Sequence, residues 1–287
     1  MPATDNDRHR LHADLHSHSI HSDGTLTPRQ LVERARDLGV ELLALTDHGE
    51  VSGIAEARTA AAEAGLAFVP GVEVSVTWGG KTIHVVGLGV DDANAGLRAG
   101  LERLRSGRTL RAQQMADGLT AAGIGQAFDG AMAYVGNPTM ISRTHFARFL
   151  VDQGICRDVK EVFKRFLVAG KPGYVPHCWA TLADAVALIG NAGGVAVLAH
   201  PGRYRLQDLA LDQLLREFRL AGGIAIEVVT SNHSPEQTRR YGQLALEHGF
   251  EASRGSDFHG PGEADHVELG RVAPLPATLV PVWHRYT

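Results

Sequence analysis

The chain has 287 residues, enough for one large core or one core with a small appended module. It is 44% hydrophobic and 21% charged with a net charge of -4, which suits a soluble globular protein and argues against a general nucleic-acid binder. The opening MPATDNDRHR lacks the apolar stretch of a signal peptide, no apolar run approaches the roughly 18 residues of a membrane span, and Cys156 and Cys178 form no CxxC pair, so a reducing, cytoplasmic compartment is expected.

LHADLH (11–16) reads as the first strand. A helix follows, opening at Thr27-Pro28 with a hydroxyl N-cap and a proline at its first position, and running to about Leu38. VELLALT (40–46) reads as a buried strand, and GIAEARTAAAEAG (53–65) as a helix ended by Gly65. LAFVPGVEVSV (66–76) and KTIHVVGLGV (81–90) are predicted strands joined by a turn at Gly79-Gly80. The character then changes. Helical stretches at 94–105, 107–122, 141–152 and 158–167 have little strand signal between them. Residues 95–177 hold 12 Lys+Arg against 6 Asp+Glu, a basic segment within an acidic chain that suggests an anion-facing element. Alternation resumes with a helix at 181–192, strand GVAVLAH, a helix at 208–221, strand GIAIEVV, a helix at 235–248, and FEASRGSDFH (250–259).

Strands separated by helical patterns imply βαβ units and a mainly parallel sheet. The expected fold is α/β: a barrel-like body (1–94 and 178–287) interrupted by a helical, basic insertion (95–177). An open doubly wound sheet is the competitor, and periodicity alone does not separate the two.

Fifteen histidines is a high count, and their placement carries more than the number. Asp14, His16 and His18 alternate along the first strand and its exit, so they can face one side. His48 follows ELLALTD, Glu73 follows AFVPGV, His84 lies in TIHVVGLG, His200 follows VAVLA, and Asp257 and His259 follow EASRGS. Nearly all fall at or just past a strand end, the face where β/α barrels converge their active-site residues. Imidazole with carboxylate, and no thiolate-rich pattern, suits zinc, manganese or iron. Nine such groups exceed one tetrahedral site and imply two or three ions, with a carboxylate such as Glu73 able to bridge.

DLHSHSIHSDG (14–24), LTDHG (45–49), GVEVS (71–75), HVVGLG (84–89), AHPGR (199–203) and GSDFH (255–259) together resemble the polymerase and histidinol phosphatase (PHP) family of metallohydrolases. The motifs stand in family order and span nearly the whole chain. The resemblance implies a distorted (β/α)7, TIM-like barrel and a trinuclear centre of divalent metals, manganese first, with zinc and iron as alternatives. It implies that His16, His18, Glu73 and Asp257 hold one ion, Glu73, His84 and His200 a second, and Asp23, His48 and His259 a third. Asp14 and Asp47 then look like groups that orient the ligating imidazoles, and His21 falls between family positions.

MISRTHFARFLV (140–151), GKPGYVPHCWATL (170–182) and SNHSPE (231–236) resemble the branch acting on nucleotides. That implies removal of the 3′-phosphate from nucleoside 3′,5′-bisphosphates, as in adenosine 3′,5′-bisphosphate to AMP, by attack of a metal-bridging hydroxide. The alternatives are a 5′-to-3′ exoribonuclease on short RNA, a histidinol-phosphate-type phosphatase, and a non-catalytic binding or scaffold module. Substrate residues would be Ser142, Arg143 as a phosphate clamp, Lys171, His177, Asn232 and His233, with His233 the candidate general acid. Trp179 could approach a base or pack in the core, and His145 could face the cluster or pack. The expected partner is a phosphorylated nucleotide or short RNA, with no long nucleic-acid surface and no membrane; oligomeric state is left open.

Overall fold

The computed structural model describes residues 11–262 and 267–287, so the polar opening segment 1–10 lies outside the described residues. Seven strands form one sheet in sequence order: β1 (Ala13–Asp14), β2 (Leu42–Leu45), β3 (Ala67–Trp78), β4 (Lys81–Leu88), β5 (Val195–Leu198), β6 (Ala225–Thr230) and β7 (Glu251–Gly255). The first and last strands approach each other. Leu15 N–H donates to Arg254 O at 3.1 Å, Asp257 N–H to His16 O at 2.8 Å, and Ser17 bridges Phe258. The sheet therefore curls into a nearly closed barrel, which decides between the two architectures the periodicity allowed.

Helices cover the outside where the patterns place them. Helix α1 (Pro28–Asp37) starts with the Thr27 side chain accepting from Gln30 N–H while Gln30 returns the bond, a reciprocal cap. Helix α2 (Ile54–Ala64) ends at Gly65, whose φ of 65° is the left-handed value glycine tolerates. Apolar faces of α1 and α2 pack on β2 through Leu31, Val32, Ala57 and Leu43.

The sheet is not uniformly parallel. β3 and β4 form a hairpin through Gly79 (φ 54°) and Gly80 (φ 72°), a two-residue turn that needs left-handed backbone at both positions. β4 is antiparallel to β3 and to β5, while β1–β2, β2–β3, β5–β6 and β6–β7 are parallel. Reversal has a consequence for the site. His84 sits near the start of its strand yet lies opposite Ser75, on the same face as Glu73 two residues earlier.

Between β4 and β5 run α3 (Ala95–Arg105), α4 (Arg108–Ala121), α5 (Ala127–Met132), α6 (Arg143–Asp152) and the four-residue α7 (Val159–Val162), which widens into a π-type turn at Phe163–Leu167. The short, glycine-interrupted α5 has no counterpart in the sequence reading, and 158–167 is not one regular helix. Ala112, Met115, Leu119, Phe146, Leu150, Val162 and Leu167 form an apolar core of their own here, separate from the barrel core of Val74, Val85, Leu198, Ile226 and Ala252. Helices α8 (Leu182–Asn191), α9 (Asp208–Leu220) and α10 (Pro235–His248) complete the outer layer. Among the described residues no helix is long and apolar enough to cross a membrane.

Candidate metal centre and substrate cleft

Glu73, fully buried on β3, stands at the middle of the cluster. Its Oε1 lies 2.8 Å from His84 Nδ1 and 3.1 Å from His200 Nε2. Its Oε2 lies 2.8 Å from His48 Nδ1 and 3.4 Å from both His16 Nε2 and His18 Nε2. Asp257 Oδ1 lies 3.3 Å from His16 Nε2 and 3.1 Å from His18 Nε2. Asp23 Oδ1 faces His259 Nε2 at 3.4 Å and His48 Nε2 at 3.8 Å. Three groups thus offer donor atoms all within 4.8 Å of one another: His18, Asp23, His48 and His259; His16, His18, Glu73 and Asp257; and His48, Glu73 and His84.

The three groups contain eight of the nine residues the motifs single out, with His48 in the place expected for His200. His200 joins the cluster through its 3.1 Å contact with Glu73 Oε1, and all nine come from β1, β2, β3, β4, β5 and β7 or the loops that follow them. The donor chemistry fits divalent cations. His16 Nε2, His48 Nδ1, Glu73 Oε2, His84 Nδ1 and Asp23 Oδ1 are buried close to one another yet make no hydrogen bond of acceptable geometry among the described residues, as expected of donor atoms aimed at a common point that a cation would occupy. Backbone strain collects at the same place. His200 (φ 27°) and Asp257 (φ 54°) are two of four non-glycine residues with left-handed φ among those described. Gly255 is required beside them, because a Cβ there would stand 2.3 Å from His16 Cβ.

The groups that orient this cluster differ from those expected. Asp14 accepts from the backbone N–H of Ser256 (2.8 Å) and Gly270 (2.7 Å), tying the last strand to a later loop. Asp47 accepts from Ser19 N–H, Ser19 Oγ and Ser22 Oγ at 2.6–2.8 Å and shapes the loop that carries Asp23. Neither makes a hydrogen bond to an imidazole among those described. That work falls to Glu227 on β6, whose Oε1 holds His16 Nδ1 at 2.7 Å and whose Oε2 accepts from His200 N–H at 2.5 Å. A lone carboxylate inside the apolar run GIAIEVV is the signal that could have found it. His21 is bonded to Ser52 Oγ instead, away from the donor groups.

Charge is finely divided within the cluster. Burial, reinforced by the neighbouring His259 and His48, pushes His18 down to about 3, and burial with Arg203 does the same to His200. Burial also acts against a charged His259, but the Asp23 and Asp257 carboxylates outweigh it and lift that imidazole to about 9. Glu73 is held well below the carboxylate range because His48, His84 and His16 overcome its desolvation. Arg203, with Nη2 2.6 Å from Asp257 Oδ2, does likewise for Asp257.

Above the cluster opens a cleft of about 1290 Å³, lined by Asp23, His48, His84 and His259 at its floor and by Arg108, Arg111, Arg143, Arg148 and Arg203 along its sides. Ser142, Arg143 and Asn232, three of the expected substrate residues, are among its lining. Ser142 also caps α6 by accepting from Thr144 N–H, while buried His145 completes that cap by taking Ser142 N–H on Nδ1, so it is a structural residue of the helix start. Trp179 lines the cleft and is not core; His177 packs edge-on against it, ring centres 4.1 Å apart.

Three of the expected substrate residues, Lys171, His177 and His233, lie outside the cleft lining, and His177 reaches it only by packing on Trp179. Lys171 is exposed. His233 is unsuited to act as a general acid: Nδ1 bonds Val228 O at 3.0 Å, Nε2 accepts Gly202 N–H at 3.1 Å, and burial pushes the ring down to about 4. Both nitrogens are spent, Nε2 on the turn after His200 and Nδ1 on β6. Arg108 and Arg111, which nothing in the sequence sets apart from the other arginines, also line the cleft, with guanidinium carbons 4.9 and 5.8 Å from the centre of the Trp179 ring. Arg108 is almost wholly buried, and its Nε has no hydrogen-bond partner among the described residues.

A curled β/α sheet with histidines and carboxylates converging at one end is the frame of a metal-dependent hydrolase, and the relatives make it a phosphoesterase. The PHP domain model matches residues 14–137, and the chain belongs to the PHP family. It is 51% identical over 270 residues to the 3′,5′-nucleoside bisphosphate phosphatase of Chromobacterium violaceum, covering 94% of each chain. It is 42% identical over 275 residues to the 5′-3′ exoribonuclease Rnm of Salmonella typhimurium, covering 95% of this chain and 93% of that one. A solved amidohydrolase structure from Chromobacterium violaceum, with bound sulfate and no metal, superimposes with a TM-score of 0.93 at 50% identity, covering 96% and 95% of the two chains.

Proposed function

We propose that the protein removes the 3′-phosphate from nucleoside 3′,5′-bisphosphates, using three divalent ions, manganese first. The observation that carries this is the convergence of eight imidazole and carboxylate residues, with His200 against Glu73 as a ninth, under an arginine-lined cleft. His16, His18, Glu73 and Asp257 would hold one ion, Glu73, His84 and His200 the second, and Asp23, His48 and His259 the third, with Glu73 shared. Such ions supply an activated water and neutralise charge on phosphate oxygens. The protein's own part is positional and electrostatic. Glu227 fixes the tautomer and plane of His16, and Arg203 keeps Asp257 ionised. Arg143, poised over the Phe163 ring with its guanidinium carbon 5.4 Å from the ring centre, and Arg108 would grip non-bridging oxygens. The segment 95–177 is the substrate-capping element, since most of the cleft's arginines come from it.

The 51% identity to a bisphosphate phosphatase supports that substrate, and the free thiols Cys156 and Cys178 suit a cytoplasmic setting. A second reading, 5′-to-3′ exoribonuclease on short 5′-phosphorylated RNA, draws on one observation: the cleft lining holds Arg157, Lys160, Lys164 and Arg165 in addition to Arg108, Arg111, Arg143 and Arg148, cationic groups in excess of two phosphates. The deciding assay incubates manganese-loaded protein with adenosine 3′,5′-bisphosphate and with 5′-phosphorylated oligoribonucleotides. Phosphate release from the first supports the main reading. A mononucleotide ladder from the second, with no phosphate from the first, replaces it.

A further inference from the structure

Helix α6 touches the cleft and the metal cluster at adjacent residues. Arg143 lines the cleft, while Thr144 Oγ donates to Asp23 Oδ2 at 2.9 Å. Ser142 Oγ reaches the same oxygen at 3.4 Å, and Arg148 Nη2 donates to Asp23 O at 2.6 Å. These donors lie 119 to 125 residues away from Asp23 in sequence, all in or beside the helix inserted between β4 and β5. Asp23 is 3% exposed, and its other oxygen, Oδ1, is the one facing His48 and His259.

A carboxylate turns freely about its last torsion, and its plane is broad and roughly two-fold in preference. A hydrogen bond on one oxygen fixes where the other points. The loop carrying Asp23 is anchored by Asp47 at Ser19 and Ser22, one to four residues short of it, so backbone anchoring alone leaves the side-chain plane unset.

We propose that Thr144 is the positioning residue for Asp23, and that the inserted segment thereby completes the metal centre as well as covering it. The inference rests on the reading of Asp23, His48 and His259 as a cation site. It gives the segment a second role: the helix turn whose Arg143 receives the anionic substrate also sets the geometry of one cation beneath it. Losing an outer hydrogen bond of this kind costs about 10- to 100-fold in metal affinity.

The test counts and titrates ions without using turnover. Full-length wild type, Thr144→Val, Thr144→Ser and Asp23→Asn proteins are loaded with Mn(II), desalted, and exposed to rising chelator while bound manganese is measured. Expected is that Thr144→Val gives up one ion per chain at about tenfold lower chelator than wild type, that Thr144→Ser restores retention, and that Asp23→Asn loses the same ion. If Thr144→Val holds its ions like wild type while Asp23→Asn does not, the positioning role is overturned and the cation site stands. If Asp23→Asn retains every ion, the cation site itself is wrong and the proposal falls with it. A Thr144→Val protein that releases all its ions together, with a lowered thermal midpoint that Thr144→Ser shares, has a general folding defect and also overturns the proposal.

Discussion

Glu227 Oε1 and His16 Nδ1 lie 2.7 Å apart in a fully buried contact, and the other oxygen of the same carboxylate takes the backbone N–H of His200. One side chain on β6 therefore orients residues just past the ends of β1 and β5, and it leaves His16 Nε2 directed at Glu73 and Asp257. Glu227→Gln keeps the shape and removes the charge that makes this imidazole a strong donor. Manganese affinity, followed by chelator competition, should fall about 10- to 100-fold, with activity recovered at high metal. Unchanged affinity would show that His16 does not ligate.

Metal loading should be strongly pH-dependent, and the sign follows from the imidazoles. His259, lifted to about 9, carries a proton at pH 7 that ligation must expel; His18 and His200, at about 3, are already neutral there. Binding therefore releases protons. His16 and His48, both raised by the Glu73 carboxylate and its neighbours, add to the protons expelled, so apparent affinity should rise with pH by about tenfold per unit for each proton released, at least up to about pH 9. Titration calorimetry at pH 7 in two buffers of different ionisation enthalpy reads the released protons directly. Identical heats in both buffers would contradict the protonated His259.

The clustering of candidate donor side chains was legible in the sequence because chemistry and periodicity coincide there: imidazoles and carboxylates fall in step with strand ends. What surrounds them was less so. Glu227 hides as one letter in an apolar run, and its partner His16 is 211 residues away, so only folding reveals the pair. Asp14 and Asp47 look alike as orienting groups, but both turn to backbone and serine donors instead. The reversed β4 was implied by Gly79-Gly80, whereas its effect, turning His84 onto the face of Glu73, needed the register. Arg108 and Arg111 sat inside a helical pattern that says nothing about which arginines point inward.

His233→Ala separates a structural histidine from a proton donor. Gly202 N–H would lose its acceptor and Val228 O its donor, a cost of about 1–3 kcal/mol for a buried polar group left unpaired. Urea unfolding should record that loss. The pH profile of kcat/KM should keep both limbs, since a ring held near 4 does not titrate in the working range. Disappearance of the basic limb with unchanged stability would restore the acid role.

Arg108 offers the sharpest test of the cleft. Its guanidinium is almost wholly buried against Trp179, and burial pushes it down to about 10, with Arg111 and Arg105 adding repulsion against the help of Asp23. Holding a cation there is unfavourable unless an anion arrives between the arginines. Arg108→Gln should therefore stabilise the folded protein slightly or leave it unchanged, while raising KM for adenosine 3′,5′-bisphosphate about 10- to 100-fold, the loss of a charge-assisted hydrogen bond of about 1.5–3 kcal/mol. Trp179→Leu, which removes the ring but not the charge, should show a smaller rise in the same constant. A variant whose KM is unmoved would mean that Arg108 faces the cleft without touching the substrate, leaving the anion to Arg143 and Arg203.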